Sequence, residues 1–319
     1  MAMIWANLLH LSFDMWADRK VDKWGDLDRR HLKYVSAAPH LRFDQRLWND
    51  LTERMAGVGM NMVVIDLGDA VKYKSHPEIA VKGAWTRDKL RKELARLRKL
   101  GLEPIPKMNF STGHDAWLGV YARQVSTPIY YKVCTDLIRE VADLFERPRF
   151  FHIGYDEETA GNQAEYDLVV VRQHELWWHD FEFFLAQVRK QGCRPWMWSD
   201  YAWGNHDAFY KRVPRSVLQS NWWYWPDWNS RKLSAVRNFA ELEKHKYDQI
   251  PTGANWVERE NFGKLVKYCT RRIDPKRLLG FLQTVWFPTV ECYRKRHMEA
   301  VDVVGEAIRK RGKTGNNGD

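Results

Sequence analysis

Cysteine pairs of the Cys-x-x-Cys kind are missing from this sequence, whose four cysteines stand far apart at Cys134, Cys193, Cys269 and Cys292. Their separation argues against a zinc knuckle and a thioredoxin-like redox motif and leaves buried free thiols as the expectation. Also missing is any apolar run approaching the roughly 20 residues that span a bilayer, so no membrane partner is expected. No charged segment followed by an apolar core and a cleavage site opens the chain, which enters strand-like sequence at residues 3–11. The chain is expected to be soluble; a leader removed on export would leave no trace, so the compartment stays open. Short His-x-His and His-Glu-x-x-His pairs are lacking, and the scattered His10, His114 and His152 read as hydrogen-bonded core or cleft residues, with no metal expected. No Gly-rich phosphate loop follows the first apolar run, which removes support for a nucleotide fold and for a nucleotide cofactor; no cofactor is expected.

What is present begins with charge. A formal net charge of +10 over 319 residues raises nucleic acid as a partner. The basic residues lie mainly on helix faces, however, as in the run of Arg87, Lys89, Arg91, Lys92, Arg96, Arg98 and Lys99. Such faces are ordinarily solvated, so no nucleic-acid partner is expected. Seventeen tryptophans are the compositional oddity, and many gather at Trp196, Trp198, Trp203, Trp222, Trp223, Trp225 and Trp228. Indole offers a broad apolar face and one N–H donor, which suits stacking on the C–H face of a pyranose as well as filling a core.

Short apolar runs alternate with stretches of helical periodicity along the whole chain, the pattern of a parallel sheet with crossover helices. Eight strands are read at 4–11, 62–67, 103–109, 150–155, 195–199, 217–221, 250–254 and 280–286. Between them, Leu47, Leu51 and Met55 repeat at helical spacing, as do Leu90, Leu94 and Leu97 behind an N-cap at Thr86 and before a stop at Gly101. Two more stripes run through Val133, Leu137, Val141 and Leu144 and through Trp177, Phe181, Phe184 and Val188; Met298, Val301, Val304 and Ile308 mark a closing helix. The expectation is one (β/α)8 TIM barrel over residues 1–309, with a frayed, disordered tail at 310–319. The segments after the strands, notably 68–85, 110–127 and 157–172, are longer and chemically richer than those before them. They are expected to form the C-terminal mouth, where barrels place their chemistry.

The fourth strand runs Phe150-Phe151-His152-Ile153-Gly154-Tyr155 into three carboxylates, Asp156, Glu157 and Glu158. Two-residue alternation puts His152, Gly154 and Asp156 on the inward side, and Glu157 reaches the cleft where the strand ends. Gly154 leaves room for a ligand or a neighbour. Adjacent carboxylates in a cleft raise each other's proton affinity, and surrounding aromatics add to this. One can therefore stay protonated as the general acid that glycosidic cleavage requires. Glu158 is expected to be solvated.

His152-Ile153-Gly154-Tyr155-Asp156-Glu157 resembles the His-x-Gly-Gly-Asp-Glu signature of glycoside hydrolase family 20, the β-N-acetylhexosaminidases. Other segments agree in order: Ile105-Pro106 followed by Gly113-His114, Trp198 with Asp200, Trp222, and Gly280 through Trp286. The resemblance implies a carbohydrate substrate and a substrate-assisted retaining, exo-acting enzyme. In that scheme Glu157 protonates the leaving oxygen and Asp156 orients a 2-acetamido group whose oxygen attacks the anomeric carbon. It further implies that His114 supports the acid and that Trp198, Trp222 and Trp286 wall the sugar subsite, with His152 and Asp200 also among the substrate-binding residues. Three departures stand out. Tyr155 replaces a glycine of the signature, residues 5–13 hold no counterpart of the family's sugar-gripping arginine, and Gly253-Ala254-Asn255-Trp256 lacks its tyrosine. Two alternatives remain open: a double displacement using Glu157 and Glu258, and a barrel that binds glycans without cleaving them. The sequence carries no signal of oligomeric state.

Overall fold

A computed structural model describes residues 2–24 and 29–315. Eight parallel strands form its centre: β1 (Ile4–His10), β2 (Met62–Asp66), β3 (Glu103–Lys107), β4 (Phe150–His152), β5 (Arg194–Trp198), β6 (Leu218–Ser220), β7 (Thr252–Ala254) and β8 (Gly280–Thr284). Around them lie α1 (Arg29–Val35), α2 (Gln45–Gly57), α3 (Arg87–Lys99), α4 (Pro128–Leu144) and α5 (His174–Lys190). The helical layer continues with α6 (Tyr201–Gly204), α7 (His206–Arg212), α8 (Ser234–Lys244), α9 (Asn261–Thr270) and α10 (Arg294–Gly315). The strand order β6-β5-β4-β3-β2-β1-β8-β7 leaves one seam, between β6 and β7. Two isolated parallel bridges, Gln219 to Gln249 and Trp222 to Thr252, close it. The described residues therefore form one (β/α)8 barrel, as the alternating pattern predicts.

Each strand lies within a few residues of its expected place. Thr86 caps α3 by accepting from the Lys89 N–H at 3.1 Å, and Gly101 follows that helix at φ 79°. Pro104 and Pro106 have no N–H to offer β4, and the regular β3–β4 pairing shrinks to Lys107 against His152. The closing helix runs on to Gly315, into the segment where charge and glycine predict fraying; residues 316–319 lie outside those described. Cys134, Cys193 and Cys269 are buried free thiols, but Cys292 is exposed, because it falls in a short turn ahead of α10 rather than on a packed face. No helix among the described residues is long and apolar enough to cross a membrane.

Alternation along the strands divides the core in two. Outward side chains such as Leu9, Val63 and Phe151 pack with Leu51, Leu94, Val141 and Val304 between sheet and helices. Inward ones, among them Ala6, Leu8, Val64, Ile105, Trp196 and Leu282, fill the barrel. Above that apolar filling sits a polar layer. Lys107, 0% exposed, reaches Asp66 Oδ2 at 2.5 Å, with His10 Nδ1 at 3.4 Å from the same oxygen. Burial alone would raise the Asp66 pKa, but the Lys107 ammonium and His10 hold it down at about 2. His152 lies in the same layer, fully buried between Trp196 and Trp198. Its Nδ1 accepts from the Gly154 N–H at 3.0 Å, and burial together with nearby Lys107 keeps the ring neutral. The mouth of the barrel opens above this layer.

Candidate active site

β4 ends at His152, and the next residues turn sharply to deliver two carboxylates. Gly154, Tyr155 and Glu157 all take positive φ, at 68°, 73° and 50°. A Cβ on Gly154 would stand 2.1 Å from Asn109 Oδ1, so both the dihedral and the space demand glycine. The room it leaves is for a neighbour, and that neighbour orders the turn: Asn109 Oδ1 accepts from the Tyr155 N–H at 3.2 Å, while its Nδ2 donates to Asp156 Oδ1 at 2.9 Å. Positive φ also directs the Tyr155 ring away from the mouth. It packs on Trp177, Phe181 and Phe184 under the Arg172 guanidinium and donates to the Trp177 carbonyl at 3.1 Å. Tyrosine in place of the signature's glycine thus fills the layer between β4 and α5.

His114 Nε2 bridges the pair, 3.5 Å from Asp156 Oδ2 and 3.2 Å from Glu157 Oε2. Asp156 is buried, whereas the Glu157 side chain keeps 34% of its exposure. Burial and the Glu157 charge push the Asp156 pKa up, against the pull of His114, Lys107 and the Asn109 amide. Burial opposes protonation of His114, but the two carboxylates outweigh it and the imidazole pKa rises. Asp200, just past β5, accepts the Glu157 backbone N–H at 2.9 Å and stands 3.5 Å from Trp222 Nε1. Desolvation and the Asp156 charge raise its pKa to about 8.

That shift has a consequence for stability. An unfolded aspartate loses its proton near pH 4, whereas folded Asp200 keeps it until about pH 8. Stability therefore drains away as pH rises through that window, because the unfolded state gives up a proton that the folded state retains. Asp200→Asn keeps an acceptor for the Glu157 N–H and removes this cost. Its melting temperature relative to the parent is expected to improve from pH 5 to pH 8; a difference that stays flat would mean the carboxyl ionises freely in the fold.

The carboxylates open into a cavity of about 470 Å³ in which Asp156, Glu157, Trp198, Trp222 and Trp286 all take part in the lining. His114 and Asp200 stand directly behind the acids, and His152 lies a layer deeper, outside the lining. Two-residue alternation and the signature place His152 beside Asp156; the turn at Gly154 separates them in space. Glu258 is also outside the lining, with both oxygens 2.8 Å from Lys264 Nζ. Glu158 is not solvated. Its side chain is 2% exposed and bound by Arg172 through Nε and Nη2, each at 2.7 Å, because the loop 157–172 folds back over the strand end.

Much of the wall escaped the sequence reading. Phe13, Trp16, Trp24, His31 and Val35 come from the long segment between β1 and α2, and Tyr224, Trp225 and Trp256 follow β6 and β7. Trp16 sets a ring edge against His114, with centroids 4.8 Å apart. Seven of the thirteen lining residues are tryptophan, and among the described residues the lining holds no arginine or lysine. One tyrosine lines the cavity, Tyr224, which follows β6. Donor atoms of His114, Asp156 and Glu157 lie within 4.8 Å of one another, close enough to hold a metal ion. Their existing contacts equally form a closed proton-sharing set, with Asn109 on Asp156 and Asn162 Nδ2 3.3 Å from Glu157 Oε2.

No protein-family model and no curated protein sequence matches the chain. Solved structures do. A family 20 exo-β-N-acetylglucosaminidase from Vibrio harveyi, in complex with N-acetylglucosamine, superposes with a TM-score of 0.63 at 18% identity, over 85% of this chain and 52% of that one. An N-acetyl-β-hexosaminidase from Streptomyces plicatus gives 0.61 at 14% identity, over 94% and 63% of the two chains. A β-N-acetylhexosaminidase from Bacteroides fragilis gives 0.59 at 14% identity, over 99% and 71%. The chain thus spans about half the length of the Vibrio harveyi protein. The likeness is one of fold: the chain is built like the catalytic barrels of those enzymes.

Proposed function

We propose that this chain is a glycoside hydrolase of the β-N-acetylhexosaminidase type, exo-acting on carbohydrate and retaining through substrate assistance. The observation that carries the reading is His114 held between Asp156 and Glu157 at the base of a tryptophan-walled cavity. The two carboxylates differ in the way the two tasks differ. Glu157, the more exposed, delivers its proton to the glycosidic oxygen as the bond to the anomeric carbon breaks. Asp156, buried and steadied by Asn109, accepts the acetamido N–H, and the acetamido oxygen forms the new bond to that carbon. Water then attacks the anomeric carbon, breaking its bond to the acetamido oxygen, and gives a proton to the Glu157 carboxylate, which restores the acid. Trp198, Trp222 and Trp286 offer indole faces to the sugar ring.

Hydrolysis of matched chromogenic glycosides with and without a 2-acetamido group tests the reading. Turnover is expected only where the acetamido group is present, and a thiazoline analogue of the cyclised intermediate should inhibit strongly. Asp156→Asn should lower kcat by roughly 10²-fold or more through loss of transition-state stabilisation. Equal turnover of the sugars lacking the group, with Asp156→Asn nearly silent, would replace substrate assistance by another retaining route. Glycan binding without turnover of any member would make the barrel a binding protein.

A further inference from the structure

A second gathering of ligand-type side chains lies on the outer helical layer, apart from the cavity. His206 opens α7, while Glu241 and His245 stand one turn apart at the C-terminal end of α8. Glu241 Oε2 is 3.4 Å from His206 Nε2 and 3.9 Å from His245 Nε2, and the three donor atoms fall within 4.8 Å of one another. Around a tetrahedral ion at zinc–ligand distances, ligand atoms stand about 3.4 Å apart. One edge of such a polyhedron is thus already formed, a second needs a contraction of about 0.5 Å, and the edge between the two imidazoles, within 4.8 Å, needs up to about 1.4 Å, which rotamer adjustment of the exposed His206 would supply.

The surroundings are those of a supported site. His206 Nδ1 lies 2.9 Å from Asp207 Oδ1, the carboxylate–imidazole contact that leaves the opposite ring nitrogen free to bind an ion. The His245 ring lies flat on Tyr210, with centroids 4.0 Å apart and planes 17° from parallel. Tyr210 in turn donates to Asn238 Oδ1 at 2.6 Å, and Asn238 Nδ2 donates to Asn221 Oδ1 at 2.9 Å. Lys244 Nζ, 3.5 Å from Glu241 Oε2, is the competing cation, and its 70% exposed side chain can swing into water.

We propose that His206, Glu241 and His245 bind a divalent transition-metal ion of the zinc class, with Asp207 supporting His206 and water completing the coordination. Two imidazoles and one carboxylate favour zinc, cobalt, nickel or copper over calcium and magnesium, which take oxygen ligands. The ion staples α7 to α8, the helices that follow β5 and β6 along the chain. This site is independent of the hydrolase reading.

Calorimetric titration of the chelator-treated chain with zinc chloride, and separately with calcium chloride, tests the proposal. One equivalent of zinc is expected to bind with Kd on the order of micromolar or tighter, with no matching calcium signal. The melting temperature should rise with the logarithm of free zinc. His206→Ala and His245→Ala should each weaken binding at least tenfold, and Asp207→Asn by roughly tenfold, the usual cost of losing a supporting carboxylate. His206 is 46% exposed on its side chain, so its variant reports on binding even if His245→Ala folds poorly. Absence of saturable zinc binding below a millimolar overturns the site. So does binding that survives both histidine variants, or that vanishes in His114→Ala instead.

Discussion

Glu157→Gln is expected to lower kcat/KM by about 10² to 10⁴ on glycosides whose leaving group is an alkoxide, and by far less on an activated aryl glycoside. The difference arises because a good leaving group departs with little proton assistance, so only the poor one exposes the loss of the acid. Folding should barely change. Glutamine keeps an acceptor for His114 and Asn162, and the side chain is already one-third open to the cavity at 34% exposure. Glu258→Gln serves as the control: its carboxylate is occupied by Lys264 away from the lining, and the variant should retain activity. Equal losses on both kinds of leaving group would remove Glu157 from the acid's role, and a larger loss at Glu258 would replace substrate assistance by a double displacement using both glutamates.

Arg172→Met is expected to cost about 3–5 kcal/mol of folding stability, measured as a fall in the denaturant midpoint. The Arg172 side chain is 1% exposed and serves Glu158 and Asp180, themselves 2% and 0% exposed. It also donates to the Phe110 carbonyl at 2.6 Å. Removing the cation leaves two buried carboxylates facing each other's charge in a medium that screens them poorly. Arg172→Lys should recover only part of the loss, because one ammonium cannot reproduce the paired Nε and Nη2 contacts to Glu158. A penalty below about 1 kcal/mol would mean the freed carboxylates escape to water. Since Glu158 follows Glu157 directly, this buried pair also holds the loop that carries Glu157.

The barrel was legible because its signal is periodic. Strand runs and the Leu90, Leu94, Leu97 type of stripe repeat at fixed spacing, and burial on one side enforces them. Asp156 and Glu157 were legible for a different reason: charge at the end of an apolar strand is costly without a task. What sequence spacing does not encode is how the chain turns after a strand. Gly154 and Tyr155 at positive φ separate His152 from the cavity and send the tyrosine ring outward, neither of which follows from two-residue alternation. Asn109, which holds Asp156, lies 47 residues away and matters only because Gly154 lets it approach. Trp16 and Trp24 lie in an irregular segment with no period at all, and their number among the tryptophans was the only available hint. Glu158 looked solvated because its partner, Arg172, is 14 residues off along a loop.

The seam between β6 and β7 is held by isolated bridges where the other strand pairs have ladders. Elsewhere neighbouring strands are tied by regular ladders or, at β3–β4, by backbone bonds that continue past the strand ends, such as Met108 N–H to the His152 carbonyl at 3.0 Å. The seam is crossed by three backbone bonds, from Gln219 N–H to the Asp248 carbonyl at 3.1 Å, from Ile250 N–H to the Gln219 carbonyl at 2.9 Å and from Thr252 N–H to the Asn221 carbonyl at 2.9 Å, the last one residue before Trp222. With no ladder across the seam, the Thr252 amide is expected to open locally at less cost than the amides in β1 and β2 and to exchange with solvent deuterium ahead of them. Each such opening also displaces Trp222, a wall of the cavity. A sugar lying against that indole therefore resists the same motion, and the exchange rate at one backbone amide becomes a gauge of occupancy at the mouth.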